Sequence, residues 1–191
     1  FNYINNSKFS LCDGIGVKFG GYFKGKNIIR YNGPKIFNDV IYEGQNFNWT
    51  HYFYGGTPSV VSNLKKECLK KFPKCKIVGT FSPPFRKLNN NERKEIINEI
   101  NKHKPNFIWV GLGLPKQENW IMENIDNLNV NFAVGVGAVF DTQTGNIKRA
   151  PLFLQRIGLE WLYRVIREPR MIPRLKKSFI IMFKIIFSKN K

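Results

Sequence analysis

Three short runs carry residue types that can do chemistry. Asp13 stands in Cys12-Asp13-Gly14-Ile15-Gly16-Val17, after an apolar stretch and before two glycines. A carboxylate at such a turn can serve as a general base or bind a ribose hydroxyl, because glycines let the backbone approach a ligand. Taken alone, the same run also reads as an ordinary turn or a helix N-cap. The second run is Gly111-Leu112-Gly113-Leu114-Pro115-Lys116-Gln117-Glu118. It follows a strand pattern and opens a helix, so its N–H groups and the helix dipole can hold a phosphate. Lys116 replaces the third glycine of the dinucleotide fingerprint, and the Gly-Lys-Ser/Thr of a P-loop is absent. Lys116, Gln117 and Glu118 in one first turn suit phosphate and sugar hydroxyls, although first-turn Gln and Glu also serve as capping residues.

The third run, Gly135-Val136-Gly137-Ala138, ends the next strand in the same manner. Two small-residue loops on successive strands predict a nucleotide-sized cleft. Asp141 reads as a ligand-binding residue or as a cap of the turn Thr142–Gly145, with the structural role favoured. His51 and His103 lack a ligand partner at short spacing, and neither His-Glu-x-x-His nor Asp-x-Asp occurs, so no metal is expected.

The elements that must position these runs follow from periodicity. Trp49–Tyr54 is a β-rich run ended by Gly55-Gly56, and Pro58–Phe72 has apolar positions at helical spacing. Lys76–Thr80 and Asn89–His103 repeat that order, then Phe107–Val110 with a helix from Pro115 to Asn124, then Val130–Val134. Alternating strands and helices predict an α/β fold with a doubly wound, mainly parallel, Rossmann-like sheet, which gathers ligands at the strand C-terminal ends. Beyond Ala150 no strand pattern appears. Pro151–Arg156, Leu159–Glu168 and Ile172–Phe187 read as consecutive helices. Residues 1–150 are therefore expected to form the core, and residues 151–191 a basic helical appendage.

With 191 residues, 42% hydrophobic and 15% aromatic, the chain can bury a core without disulfides or metals. Three irregularly spaced cysteines, Cys12, Cys68 and Cys75, suggest a reducing, cytosolic setting. Phe1–Ser10 lacks the pattern of a signal peptide, and no run reaches the roughly 20 apolar residues of a spanning helix. The 31 Lys and Arg against 13 Asp and Glu give a formal charge of +18, and 12 basic but only two acidic residues lie from Lys148 onward. Within the appendage, Arg164, Arg167, Arg170 and Arg174 form a basic stripe suited to a pyrophosphate, or a solvated face. The run Lys176–Phe187 joins lysines to Ile and Phe, which favours an anionic membrane interface over nucleic acid, with a core helix as the other reading.

As an ordered series, Asp13-Gly-Ile-Gly16, Tyr54-Gly-Gly56, Gly79-Thr80, Gly111–Glu118, Gly135–Ala138, Gly158-Leu-Glu160-Trp-Leu-Tyr-Arg164 and Glu168-Pro-Arg170 resemble the WecG/TagA/CpsF glycosyltransferases. The resemblance spans nearly the whole chain. It implies an inverting, metal-independent transferase that moves a sugar from a UDP-sugar to a polyprenyl-diphosphate-linked GlcNAc. N-acetylmannosamine is the expected sugar, and cell-surface polysaccharide or teichoic acid the expected product. No cofactor is implied beyond the sugar nucleotide as co-substrate.

By the same resemblance Asp13 is the expected catalytic base. Gln117 and Glu118, with Lys116, Gly111, Gly113, Gly135 and Gly137, are expected to bind substrate. Glu160 is expected close to the site, and Arg164, Arg170 and Arg174 on the diphosphate of donor or carrier. The implied location is the inner face of the cell membrane, held peripherally, and family members can form homo-oligomers. The family places several dozen residues ahead of the Asp-Gly motif, including part of the acceptor pocket, whereas 12 precede Asp13 here. An inactive membrane-binding or partner-binding remnant is thus the alternative expectation.

Overall fold

The computed structural model describes residues 7–13, 15–148, 150, 151, 153, 154, 159–167, 172, 180 and 187. In chain order the elements are α1 (Ile15–Phe23), α2 (Gly33–Phe47), β1 (Thr50–Gly55), α3 (Pro58–Lys71), β2 (Lys76–Phe81), α4 (Asn90–His103) and β3 (Phe107–Gly111). They continue with α5 (Lys116–Asn124), the 3-10 turn Ile125–Asn127, β4 (Phe132–Gly135), α6 (Val139–Gln143) and α7 (Glu160–Arg167). Gly33–Ile147 forms one compact unit; Ser7–Asn32 and the segment from Lys148 onward form the other.

The first unit is the α/β fold expected from the alternating pattern. Its sheet runs β2-β1-β3-β4 with every pair parallel. Strand alternation sends Phe53, Phe107 and Trp109 to one face, where they pack with Phe37, Leu64 and Phe140. Tyr52, Tyr54, Ile108 and Val110 go to the other face, against Ile96, Ile97 and Ile100 of α4. Both faces are covered, as a parallel sheet requires. Full burial of a side chain the size of Phe37 or Phe53 contributes about 2 kcal/mol.

Local chemistry sets the helix starts. Thr57 Oγ1 accepts the Val60 N–H at 3.3 Å ahead of Pro58. Asn89 and Glu92 form a reciprocal capping box at 2.9 and 2.8 Å, the pattern of Asn followed three residues later by Glu. At the strand N-terminal ends, Asn106 Oδ1 accepts the Thr50 N–H at 2.8 Å and Asn106 Nδ2 donates to Asn131 at 2.9 Å, fixing the start of three strands. This anchoring corrects one expected boundary. The last strand runs from Phe132 to Gly135 rather than from Val130 to Val134, because pairing with β3 begins at Phe107 opposite Phe132, while Val130 packs into the second core.

In the second unit, α1 ends in a Schellman turn: the Lys26 N–H bonds to the Gly21 carbonyl at 2.8 Å and the Gly25 N–H to the Tyr22 carbonyl at 3.0 Å. Gly25 takes the left-handed conformation (φ +67°) that this motif needs. The chain then returns, and the Tyr31 N–H bonds to the Cys12 carbonyl at 2.8 Å. Of the expected appendage helices, the one over Leu159–Glu168 is α7, Phe153 and Leu154 within Pro151–Arg156 are helical, and most of Ile172–Phe187 lies outside the described residues. All three cysteines are free thiols, and burial pushes Cys68 up to about 12.

Candidate active site

The strand order places a topological switch at the carboxyl ends of β1 and β3. The chain leaves β1 for β2 on one side and then crosses to β3 on the other, and sheets of this kind gather ligands where the following loops diverge. The backbone here is closely packed, and a Cβ on Gly111 would meet the Phe140 ring at 2.7 Å. Gly55 and Gly111 face each other at the end of the ladder, and the Gly56 N–H bonds to the Gly111 carbonyl at 3.2 Å. A Cβ on Gly55 would lie 2.5 Å from that carbonyl oxygen, and its φ of +126° excludes ordinary L residues. Ser82 Oγ, from the loop after β2, donates to the Gly56 carbonyl at 2.6 Å.

Gln117 is the hub of the loops after β3 and β4. It is buried although it sits in the first turn of α5. Its N–H bonds to the Gly113 carbonyl at 3.0 Å, and its side-chain Oε1 accepts the Gly137 N–H at 2.7 Å. Its Nε2 donates to Glu118 Oε1 at 2.8 Å. A Cβ on Gly135 would stand 3.0 Å from Gln117 Nε2, so the second loop has to be small for Gln117 to cross it. The other carboxylate oxygen, Glu118 Oε2, is buried and has no hydrogen-bond partner among the described residues. A buried carboxylate oxygen without a donor is costly. A hydroxyl or an amide N–H is the kind of group that would complete its bonding. Trp120 stacks on Tyr54 at 4.1 Å between ring centroids and holds α5 to the sheet, while burial pushes the Tyr54 phenol up to about 12. Lys116 is exposed at the start of the same helix.

Six predicted residues thus converge: Gly111, Gly113, Gln117, Glu118, Gly135 and Gly137. Asp141 belongs to α6, where its carbonyl accepts the Ile147 N–H at 3.0 Å.

A second constellation lies wholly within the other unit. Arg30 Nε donates to the Asp13 backbone carbonyl at 2.8 Å, and its Nη2 lies 3.4 Å from Glu160 Oε2 and 3.9 Å from Asp13 Oδ1. The arginine therefore joins Asp13 to a carboxylate at the start of α7, 147 positions away by the residue numbers. The Asp13 side chain is 66% exposed, while those of Arg30 and Glu160 are 23% and 16% exposed. Burial first, and the neighbouring Asp13 charge second, push the Cys12 thiol up. Sequence reasoning passed over Arg30, because nothing local distinguishes it from the other basic residues. Arg164 lies on α7; Arg170 and Arg174 fall outside the described residues.

The whole sequence, residues 1–191, matches the Glycosyl transferase WecG/TagA/CpsF family. The chain belongs to that family. Similar curated proteins include one from Bacillus spizizenii W23, 31% identical over 167 residues, which cover 87% of this chain and 63% of the relative. Another, from Staphylococcus aureus MW2, is 28% identical over 189 residues, or 98% of this chain and 72% of the relative. Both are named N-acetylglucosaminyldiphosphoundecaprenol N-acetyl-beta-D-mannosaminyltransferase. The chain thus spans between about three-fifths and three-quarters of the length of these relatives. The glycine loops with Gln117 and Glu118 form one cluster of this chain, and Asp13, Arg30 and Glu160 the other.

Proposed function

We propose that the protein transfers N-acetylmannosamine from a UDP-sugar to GlcNAc carried on a polyprenyl diphosphate, with inversion at the anomeric carbon. The observation that carries this reading is the buried, donor-less Glu118 Oε2 beside two glycine loops at a sheet switch point, in a chain of this glycosyl transferase family. The relatives' names supply the sugar and the acceptor.

In the proposed reaction the loops admit the sugar nucleotide at Gly113 and Gly137, where a Cβ would meet nothing closer than 3.9 Å, and Glu118 Oε2 accepts a hydrogen bond from it. Asp13 takes the proton from the acceptor hydroxyl as that oxygen attacks the anomeric carbon. The bond to the diphosphate breaks with its electron pair on the leaving UDP. Basic side chains, Arg164, Arg170 and Arg174 among them, neutralise that charge in place of a divalent cation. Arg30 holds the Asp13 backbone carbonyl, and the Asp13 side chain is 66% exposed. The product enters a cell-surface polymer such as teichoic acid, and the enzyme works peripherally at the inner face of the membrane, alone or as a homo-oligomer.

Incubation with UDP-N-acetylmannosamine and a short-chain prenyl-diphosphate-GlcNAc, read by mass spectrometry, tests this. One added N-acetylhexosamine is expected, and Asp13→Ala should lower turnover by about 10² to 10⁴-fold. Unchanged turnover in that variant removes Asp13 from the base role.

A further inference from the structure

Helix α1 is built inside out. Its buried positions are Gly20 and Gly21, and a Cβ on Gly21 would lie 2.4 Å from the Ile28 side chain that packs there. The opposite side carries Lys18, Phe19, Tyr22 and Phe23, which fall on one arc at helical spacing. Phe19, Tyr22 and Phe23 are 52, 76 and 65% exposed, and the last two rings meet edge to face at 6.1 Å. Ile29, after the Schellman turn, is 76% exposed. A water-facing helix ordinarily has the reverse pattern, with large apolar residues inward.

The charges of this segment are mostly positive. Ser7–Asn32 holds Lys8, Lys18, Lys24, Lys26 and Arg30 against one acidic residue, Asp13. Lys18 and Lys26 are exposed, on the helix and at its terminal turn. Exposed aromatics rimmed by lysines match an anionic lipid interface: the rings enter the boundary between headgroups and acyl chains, and the ammonium groups stay with the phosphates.

We infer that α1 seats the protein on an anionic membrane through Phe19, Tyr22 and Phe23. In sequence this helix is distinct from the basic-apolar run Lys176–Phe187. The helix begins two residues after Asp13, so seating it brings that carboxylate to headgroup level, where a sugar on a membrane-anchored diphosphate is presented. That consequence rests on the proposed transferase reading, whereas the membrane contact is measured without donor or acceptor.

The test is sedimentation of the full chain with vesicles of phosphatidylcholine and phosphatidylglycerol, and with phosphatidylcholine alone. Binding is expected to the anionic vesicles, weakened at least about tenfold by Phe19→Ser/Tyr22→Ser/Phe23→Ser. Lys18→Glu/Lys26→Glu, which leaves the packed glycine face untouched, should weaken it by a similar factor and covers the case in which the triple variant does not fold. A reporter isolates this helix from any other membrane contact: Tyr22→Trp should gain fluorescence quenching from brominated lipid beyond that of the parent chain. No vesicle binding by the parent, or no added quenching at position 22, overturns the inference. So does a triple variant that keeps its vesicle affinity but loses self-association in sedimentation velocity, because the face then belongs to a second copy. Turnover on the water-soluble acceptor without vesicles is expected to persist in these variants. Its absence in the parent chain counts against the transferase reading and leaves the membrane result standing.

Discussion

Gln117 Oε1 accepts the Gly137 N–H at 2.7 Å, so one side chain fastens together the loops that follow two adjacent strands. The bond fixes the amide orientation, which in turn aims Nε2 at Glu118 Oε1 and leaves Glu118 Oε2 for another donor. A strap of this kind positions the Glu118 carboxylate through a neutral intermediary.

Gln117→Ala removes three things at once: the Gly137 bond, the Glu118 bond and the fill beside Gly135. We expect turnover to fall about 10²-fold or more and stability to drop by about 1–3 kcal/mol. Gln117→Glu keeps the Gly137 acceptor but sets a carboxylate against Glu118. It should retain more stability than the alanine variant while losing comparable turnover. Steady-state kinetics with urea unfolding separate the two effects, and equal turnover in parent and Gln117→Ala would show the strap to be structural only.

Gly135→Ala should act on the same strap from the other side. Its Cβ would press on Gln117 Nε2 at 3.0 Å, so Gln117 must give way by a few tenths of an ångström. The expected result is a KM for the sugar nucleotide raised about tenfold with a melting temperature close to that of the parent. An unchanged KM would place the donor elsewhere.

Arg30→Ala frees the Asp13 carbonyl and leaves Glu160, itself mostly buried, without this guanidinium. Arg30→Lys keeps the charge but cannot span the carbonyl and both carboxylates with one ammonium group. Both variants should lower kcat by about 10–100-fold, alanine more than lysine. If Arg30 acts by positioning Asp13, the acid limb of the pH-rate profile should also move. A profile of unchanged shape, with lower stability alone, would reduce Arg30 to a structural link.

His51 predicts an acid sensitivity unrelated to catalysis. It is fully buried in β1, its Nδ1 accepts the Trp109 Nε1–H at 3.3 Å, and its Nε2 has no partner among the described residues. Burial lowers its pKa from 6.5 to about 4. As pH falls below 6.5 the unfolded chain takes up the proton first. Stability present above that pH is therefore lost progressively down to about pH 4, by about 3 kcal/mol in all. Urea midpoints between about pH 7 and pH 4.5 should show the loss, and His51→Gln, which keeps an acceptor for Trp109, should flatten this part of the slope. Identical slopes in the two proteins would assign acid lability to the carboxylates instead.

Gly55→Ala tests the switch point. A methyl group 2.5 Å from the Gly111 carbonyl at φ +126° combines a clash with a forbidden backbone conformation. A destabilisation of at least about 2 kcal/mol is expected from thermal or urea unfolding, and a cost below about 0.5 kcal/mol would mean that the ladder end relaxes freely.

Much of this molecule is written locally. The alternation of Tyr52, Phe53 and Tyr54, the Asn89–Glu92 box, Pro58 after Thr57 and the paired glycines after each strand are short-range features of period, cap and turn, so the parallel sheet and its loop ends were legible before any coordinates. Gln117 and Glu118 were legible as a polar first turn, through their resemblance to a family motif. The tertiary structure decided what these residues touch. That Gln117 bridges to Gly137, that Arg30 reaches both Asp13 and Glu160, and that α1 turns its glycines inward and its aromatics outward all depend on contacts between segments distant in sequence. No local propensity encodes such contacts. They arise when packing of the sheet and helices fixes which groups lie within hydrogen-bond reach and which are left facing solvent.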